Sequence, residues 1–112
     1  MKIDLLQQDD RGMVWRMLHD NKEYIVQQTF KGKKRGGDYH RSEAHFYVLD
    51  GRIKLSLPNG NIILSHGESA VVPPKKPHYY EAVEDSTVME FRDSHDPNDR
   101  VIYPSFRKVV FP

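Results

Sequence analysis

Asp38, His40, Glu43 and His45 fall within the stretch RGGDYHRSEAHFYVLDG, Arg35 to Gly51, just ahead of a run of aromatic and aliphatic residues. Carboxylates and imidazoles are the groups that ligate metal ions or move protons near neutral pH. Residues two apart on a strand point to one face, so Asp38 and His40 project together. If that face lines a barrel interior, each needs a partner, because an isolated buried carboxylate or imidazole costs several kcal/mol. Phe46, Tyr80 and Phe91, on strands expected to adjoin, offer the apolar walls of a pocket around them.

The elements that would position these groups read as strands. MVWRML (Met13 to Leu18) and EYIVQQTF (Glu23 to Phe30) are β-branched and aromatic, with a hairpin loop expected at His19 to Lys22. A turn is expected at Gly36-Gly37, then a strand HFYVL (His45 to Leu49), and a two-residue hairpin at Asp50-Gly51. RIKLSL alternates Ile53, Leu55 and Leu57 against Lys54 and Ser56, and Pro58-Asn59-Gly60 turns the chain into NIIL. A loop at Ser65 to Glu68, the short strand SAVVPP, and HYYEAV and TVMEFR divided by Glu84-Asp85-Ser86 follow. No segment shows sustained helical periodicity, so the chain reads as all-β. The tail, 94–112, starts polar and ends apolar, and is expected to pack on its own barrel or, preferably, on a neighbouring subunit.

The 112 residues contain no internal repeat and fit a single domain. Seventeen Lys and Arg against sixteen Asp and Glu leave no net field to favour nucleic acid. The one basic cluster, Lys31, Lys33, Lys34 and Arg35, reads first as a solvated loop and second as an anion-binding rim. Absence of cysteine excludes disulfides, thiolate metal sites and a cysteine nucleophile. Nothing resembles a signal peptide or approaches the length of a membrane span, so a cytoplasmic protein is expected, with a homodimer as the default for so small a barrel.

Two spaced motifs carry a family resemblance. Gly32 is followed after five residues by Asp38-Tyr39-His40, then three residues on by Ala44, six residues ahead of Gly51. Gly67 is followed after five residues by Pro73, then Lys75, His78 and Ala82. In spacing these resemble the two motifs of the cupins, at about 32–51 and 67–82, and the resemblance implies a double-stranded β-helix, or jelly-roll, barrel. The family's metal set is His, His, Glu, His, and Asp38, His40, Ala44 and His78 hold those places here. Asp38, His40 and His78 together suit a divalent metal, Fe(II), Zn, Mn or Ni, with Glu43 or His45 as a fourth ligand if a bulge brings it in. A polar pocket with no metal and a purely structural cluster remain open beside that reading. Outside the motifs, His19, His66 and His95 fall in expected turns and read as solvated.

Arg35-Gly36-Gly37-Asp38-Tyr39-His40, with Asp9 to Gly12 upstream, is also similar to segments of cupin-type ketoisomerases and epimerases that act on nucleotide-linked sugars. That resemblance implies a pocket for a sugar-like small molecule and proton transfer beside a carbonyl. His40 or His78 would then be the base and Tyr80 a hydrogen-bond donor, because it shares parity with His78. Arg35, Tyr39, Phe46 and Arg92 would contact substrate, although Arg92 also reads as a cross-strand partner of Glu90 or Glu81. A metal-dependent oxygenase and a non-catalytic sugar-binding module are the alternatives.

Overall fold

A computed structural model describes residues 2–92 and 96–112. His95 and Ser94, the start of the predicted tail, lie outside the described residues. The described chain forms β1 (Lys2–Asp9), β2 (Gly12–His19), β3 (Lys22–Thr29), β4 (Lys34–His40), β5 (Ala44–Asp50), β6 (Arg52–Leu57), β7 (Gly60–Ser65), β8 (Ser69–Val72), β9 (His78–Ala82), β10 (Ser86–Arg92), β11 (Arg100–Ile102) and α1 (Pro104–Val110). One antiparallel sheet runs β1-β2-β3-β10-β5-β8 and the other β11-β4-β9-β6-β7, giving a jelly-roll sandwich. Among the described residues no helix is long and apolar enough to cross a membrane.

The turns sort by what they connect. Asp20 and Asn21, both at positive φ, close β2 onto β3, and the hairpin of β6 and β7 pairs Leu57 with Gly60. Asp50-Gly51 is not the expected hairpin: β5 and β6 belong to different sheets, so the dipeptide carries the chain across the sandwich. Gly51 takes φ +86 there because the 84–86 crossing packs against it, and a Cβ would stand 2.4 Å from the Asp85 carbonyl oxygen. Ser86 fastens the two crossings, its Oγ accepting from the Arg52 N–H at 2.9 Å and donating to the Glu84 carbonyl at 2.7 Å.

Gly36-Gly37, expected as a turn, lies inside β4. Both residues have positive φ, and between Gly36 and Asp38 the register with β9 slips as a β-bulge. Arg35, beside them, is buried and thus belongs to neither a solvated loop nor an exposed rim. The tail packs on its own β4: β11 pairs with it, the Tyr103 N–H donates to the Gly37 carbonyl at 2.9 Å, and α1 lies against it. The tail ends in a short helix that the sequence reading did not anticipate. Seven residues are too few for periodicity to show, and a proline at its start supplies the helical φ. β1 is likewise missing from the sequence reading, because its mostly exposed residues carry no alternation.

Along the inward faces, chemistry changes from one end of the sandwich to the other. β9 runs inward from Ala82 through Tyr80 to His78, and β10 from Val88 through Glu90 to Arg92. Val48, Ile53, Leu55, Leu64 and Val88 fill the apolar end as one cluster, each at most 7 % exposed. The opposite end is left to a polar cavity.

Candidate functional site

The cavity has a volume of about 420 Å³, within the range of small-molecule sites, and walls from both sheets. β4 contributes Arg35, Asp38 and His40, β9 contributes His78 and Tyr80, β5 contributes Phe46, and β10 contributes Glu90 and Arg92. Antiparallel pairing sets Asp38 opposite His78 and Phe46 opposite Glu90, so adjacent strands deliver matching positions to the same level. Val14 and Ile25 supply apolar wall from β2 and β3.

At its polar end, ligand atoms of Asp38, His40 and His78 lie within 4.8 Å of one another. His78 Nδ1 is 3.0 Å from the Lys76 carbonyl oxygen, which can only accept, so this nitrogen carries the proton. In the neutral ring Nε2 therefore presents a lone pair, and it stands 3.7 Å from Asp38 Oδ1, another acceptor. His40 Nδ1 is buried with no hydrogen-bond partner. Burial first, then the Arg92 guanidinium, pushes His40 down to about 4 against the opposing pull of Asp38, so near neutral pH this ring is uncharged. Two imidazoles and a carboxyl group whose ligand atoms come this close together fit a divalent ion. The His78 hydrogen bond to a backbone carbonyl is the outer contact such ligands commonly make. The other Asp38 oxygen, Oδ2, is held by Arg100 Nε.

Glu90 is the buried group that the sequence reading assigned only as a salt-bridge partner. It is 8 % exposed, and burial raises its pKa despite Arg92 and His78 nearby, towards the neutral acid. Its signal was parity, since Val88, Glu90 and Arg92 share a face. Arg92 pairs with neither Glu90 nor Glu81 but with Glu23 at 3.1 Å and Asp99 at 3.2 Å.

Tyr80 and Arg35 belong to one hydrogen-bond chain. Arg35 Nε donates to Thr29 Oγ1 at 2.8 Å, and the Tyr80 hydroxyl donates to Gln27 Oε1 at 2.7 Å. The proton in the 2.9 Å Thr29–Tyr80 contact must then come from Thr29. Burial pushes the Tyr80 phenol up, and its one proton is already committed. Tyr39 does not line the cavity: one residue from both Asp38 and His40, it falls on the other face of β4 and pairs with Val101 of β11. Glu43 and His45 do not supply a fourth ligand in this arrangement, because they pair with each other at 3.0 Å outside the cavity. His19 and His66 are exposed.

A family model for the cupin domain matches residues 25–93. No curated protein matches the chain. Among solved structures, KdgF from Halomonas sp. superposes with a TM-score of 0.70 at 22 % identity, covering 83 % of this chain and 88 % of that one. The capsular polysaccharide assembling protein CapF from Staphylococcus aureus gives 0.70 at 22 %, over 88 % of this chain and 34 % of that one. Oxalate decarboxylase from Bacillus subtilis gives 0.75 at 15 %, over 88 % and 29 %. This chain thus spans about a third of the CapF length, and at such identities the likeness concerns the fold.

Proposed function

This chain belongs to the cupin family, and on that premise we propose that its cavity binds a sugar-like metabolite and moves a proton beside a carbonyl carbon, as a sugar isomerase or epimerase. The observation that carries this reading is the pairing, in one cavity, of a carboxyl driven towards its neutral form and an imidazole driven towards its neutral form. Environments that push two titratable groups apart divide them into acid and base. One structural neighbour, the capsular polysaccharide assembling protein, prompts the sugar class, and the similarity of Arg35 to His40 to nucleotide-sugar ketoisomerase segments supports it.

Asp38, His40 and His78 would hold a divalent ion, whose chemistry is Lewis-acid polarisation of a substrate oxygen. Their lone pairs are then occupied, and Glu90 is the group left to donate or accept the proton. In the metal-free chain His40 and His78 are the acceptors and Glu90 the donor to the developing enolate oxygen. Phe46, Val14 and Ile25 exclude water from the ligand's apolar face, and the Arg35–Thr29–Tyr80–Gln27 chain fixes one wall.

Incubating the protein in D2O with a panel of keto-sugars, uronates and nucleotide-linked sugars tests this, read by loss of a C–H signal in proton NMR. Exchange is expected at one carbon of one class, abolished in Glu90→Gln, with that class also raising the melting temperature. Absence of both exchange and thermal shift across the panel refutes the reading. Oxygen consumption with Fe(II) instead of exchange would assign the cluster to an oxygenase.

A further inference from the structure

Six arginines line the cavity: Arg11, Arg16, Arg35, Arg92, Arg100 and Arg107. Four have carboxylate partners. Arg11 meets Asp9 at 2.8 Å, Arg16 meets Asp4 at 3.2 Å, Arg92 meets Glu23 and Asp99, and Arg100 meets Asp38. Among the described residues no carboxylate lies within 4.0 Å of Arg35 or Arg107.

These two cations are held in place by neutral groups and line the same cavity. Arg35, only 4 % exposed, donates to Thr29 Oγ1 and to the Gln28 carbonyl at 3.0 Å. Arg107 reaches from α1 and donates to the carbonyl of Gly36, the residue next to Arg35, at 2.7 Å. Its guanidinium carbon lies 4.3 Å from the centre of the Phe111 ring, and that of Arg11 lies 4.9 Å from the same ring. Burial lowers the pKa of both Arg35 and Arg107, and Arg11 adds repulsion to each. A guanidinium remains charged under these conditions, so the chain keeps positive charge in a partly desolvated wall with spare N–H donors. Such an arrangement is costly until an anion arrives, and the fork geometry matches carboxylate and phosphate oxygens.

We infer that Arg35, Arg107 and Arg11 form an anion subsite, completed by the C-terminal helix, which receives a carboxylate or phosphate group carried by the ligand. The ligand then spans the cavity, with its anionic end on the arginines and its reacting end at Asp38, His40, His78 and Glu90. The sugar body of that ligand rests on the function proposed above; the anion does not.

Calorimetric titration of the wild type, Arg35→Gln, Arg107→Gln and the remote surface variant Arg52→Gln tests this with glucose, glucuronate, glucose 1-phosphate, citrate and inorganic phosphate. One of the anionic sugars is expected to bind at least about tenfold more tightly than glucose, the scale of one or two charge-assisted hydrogen bonds. Arg35→Gln and Arg107→Gln should erase that preference and Arg52→Gln should keep it, and the preferred sugar tells carboxylate from phosphate. Citrate or phosphate bound with the same arginine dependence, while every sugar fails, keeps the subsite and overturns the sugar reading. Glucose bound as tightly as the anionic sugars overturns the subsite and leaves the sugar reading standing. Silence from every probe overturns the subsite. Should Arg107→Gln lose its cooperative melt, Arg107→Lys retains charge without the fork, and an undiminished anion preference there overturns the role of Arg107.

Discussion

His40 makes the stability of the protein pH-dependent in a calculable way. The folded chain holds the imidazole at about 4, against an ordinary 6.5, chiefly because burial penalises its charged form. On acidification the unfolded chain therefore takes up a proton first, and stability is lost as the pH falls below about 6.5 until the folded form also protonates near 4. A difference of about two and a half pK units corresponds to about 3 kcal/mol in full, of which about 2 kcal/mol is already lost at about pH 5. For a domain of this size that is roughly an 8 °C fall in melting temperature. The assay is urea unfolding of the chelator-treated wild type and of His40→Gln at about pH 7.5 and about pH 5. Because other groups titrate in both proteins, the quantity of interest is the difference between their two pH slopes. The wild type should lose about 2 kcal/mol more than the variant. Parallel curves would show that His40 titrates normally in the folded chain, and the assignment of a neutral, buried imidazole would fail.

Three other outcomes follow from particular contacts. Glu90 holds its proton to higher pH in the folded chain than in the unfolded one, so its contribution to stability declines as pH rises above the ordinary 4.5. Glu90→Gln should lose less stability than wild type between about pH 5 and pH 8, measured by the same unfolding curves. Gly37→Ala would force a Cβ to within 2.8 Å of Arg107 Cα at φ +88; a loss of about 2 kcal/mol and faster proteolytic release of the C-terminal segment are expected. Wild-type protein stripped of metal should rebind one of Fe(II), Zn, Mn or Ni stoichiometrically, and Asp38→Asn and His78→Ala should not. Failure of the wild type to bind any of the four would remove the metal reading.

The parts of the fold legible in the sequence are those governed by local alternation. RIKLSL and TVMEFR announce strands with one inward face, and that parity alone separates Tyr80, inside the cavity, from Tyr79, which packs outside against Phe106. What failed depends on partners distant in sequence. Asp50-Gly51 has the composition of a hairpin, and only the sheet assignment of β6 reveals a crossing. Gly36-Gly37 has the composition of a turn, and only β9 alongside makes it a bulge. The spacing of the two motifs finds Asp38, His40 and His78 together, because it fixes positions on paired strands. Lys75, within the second motif, takes φ +63, a backbone conformation that glycine adopts most easily and that nothing in its residue type announces. Two arginines of the cavity, Arg100 and Arg107, were hidden because they come from a tail whose docking has no local signature.

The bulge in β4 also fixes how the two halves of the cavity are connected by heredity. Arg35 and Asp38 are three residues apart, and on a regular strand they would face opposite sides; the extra residue at Gly36-Gly37 turns both inward, opposite Tyr80 and His78. A length change, rather than a substitution, is therefore the mutation that would uncouple them. Deleting one glycine would only remove the bulge, whereas deleting both would make Arg35 and Asp38 neighbours on a regular strand and send Arg35 outward, with Asp38 and His40 left in place. Among descendants of this chain, the number of residues between the arginine and the aspartate would record whether both ends of the cavity are still in use.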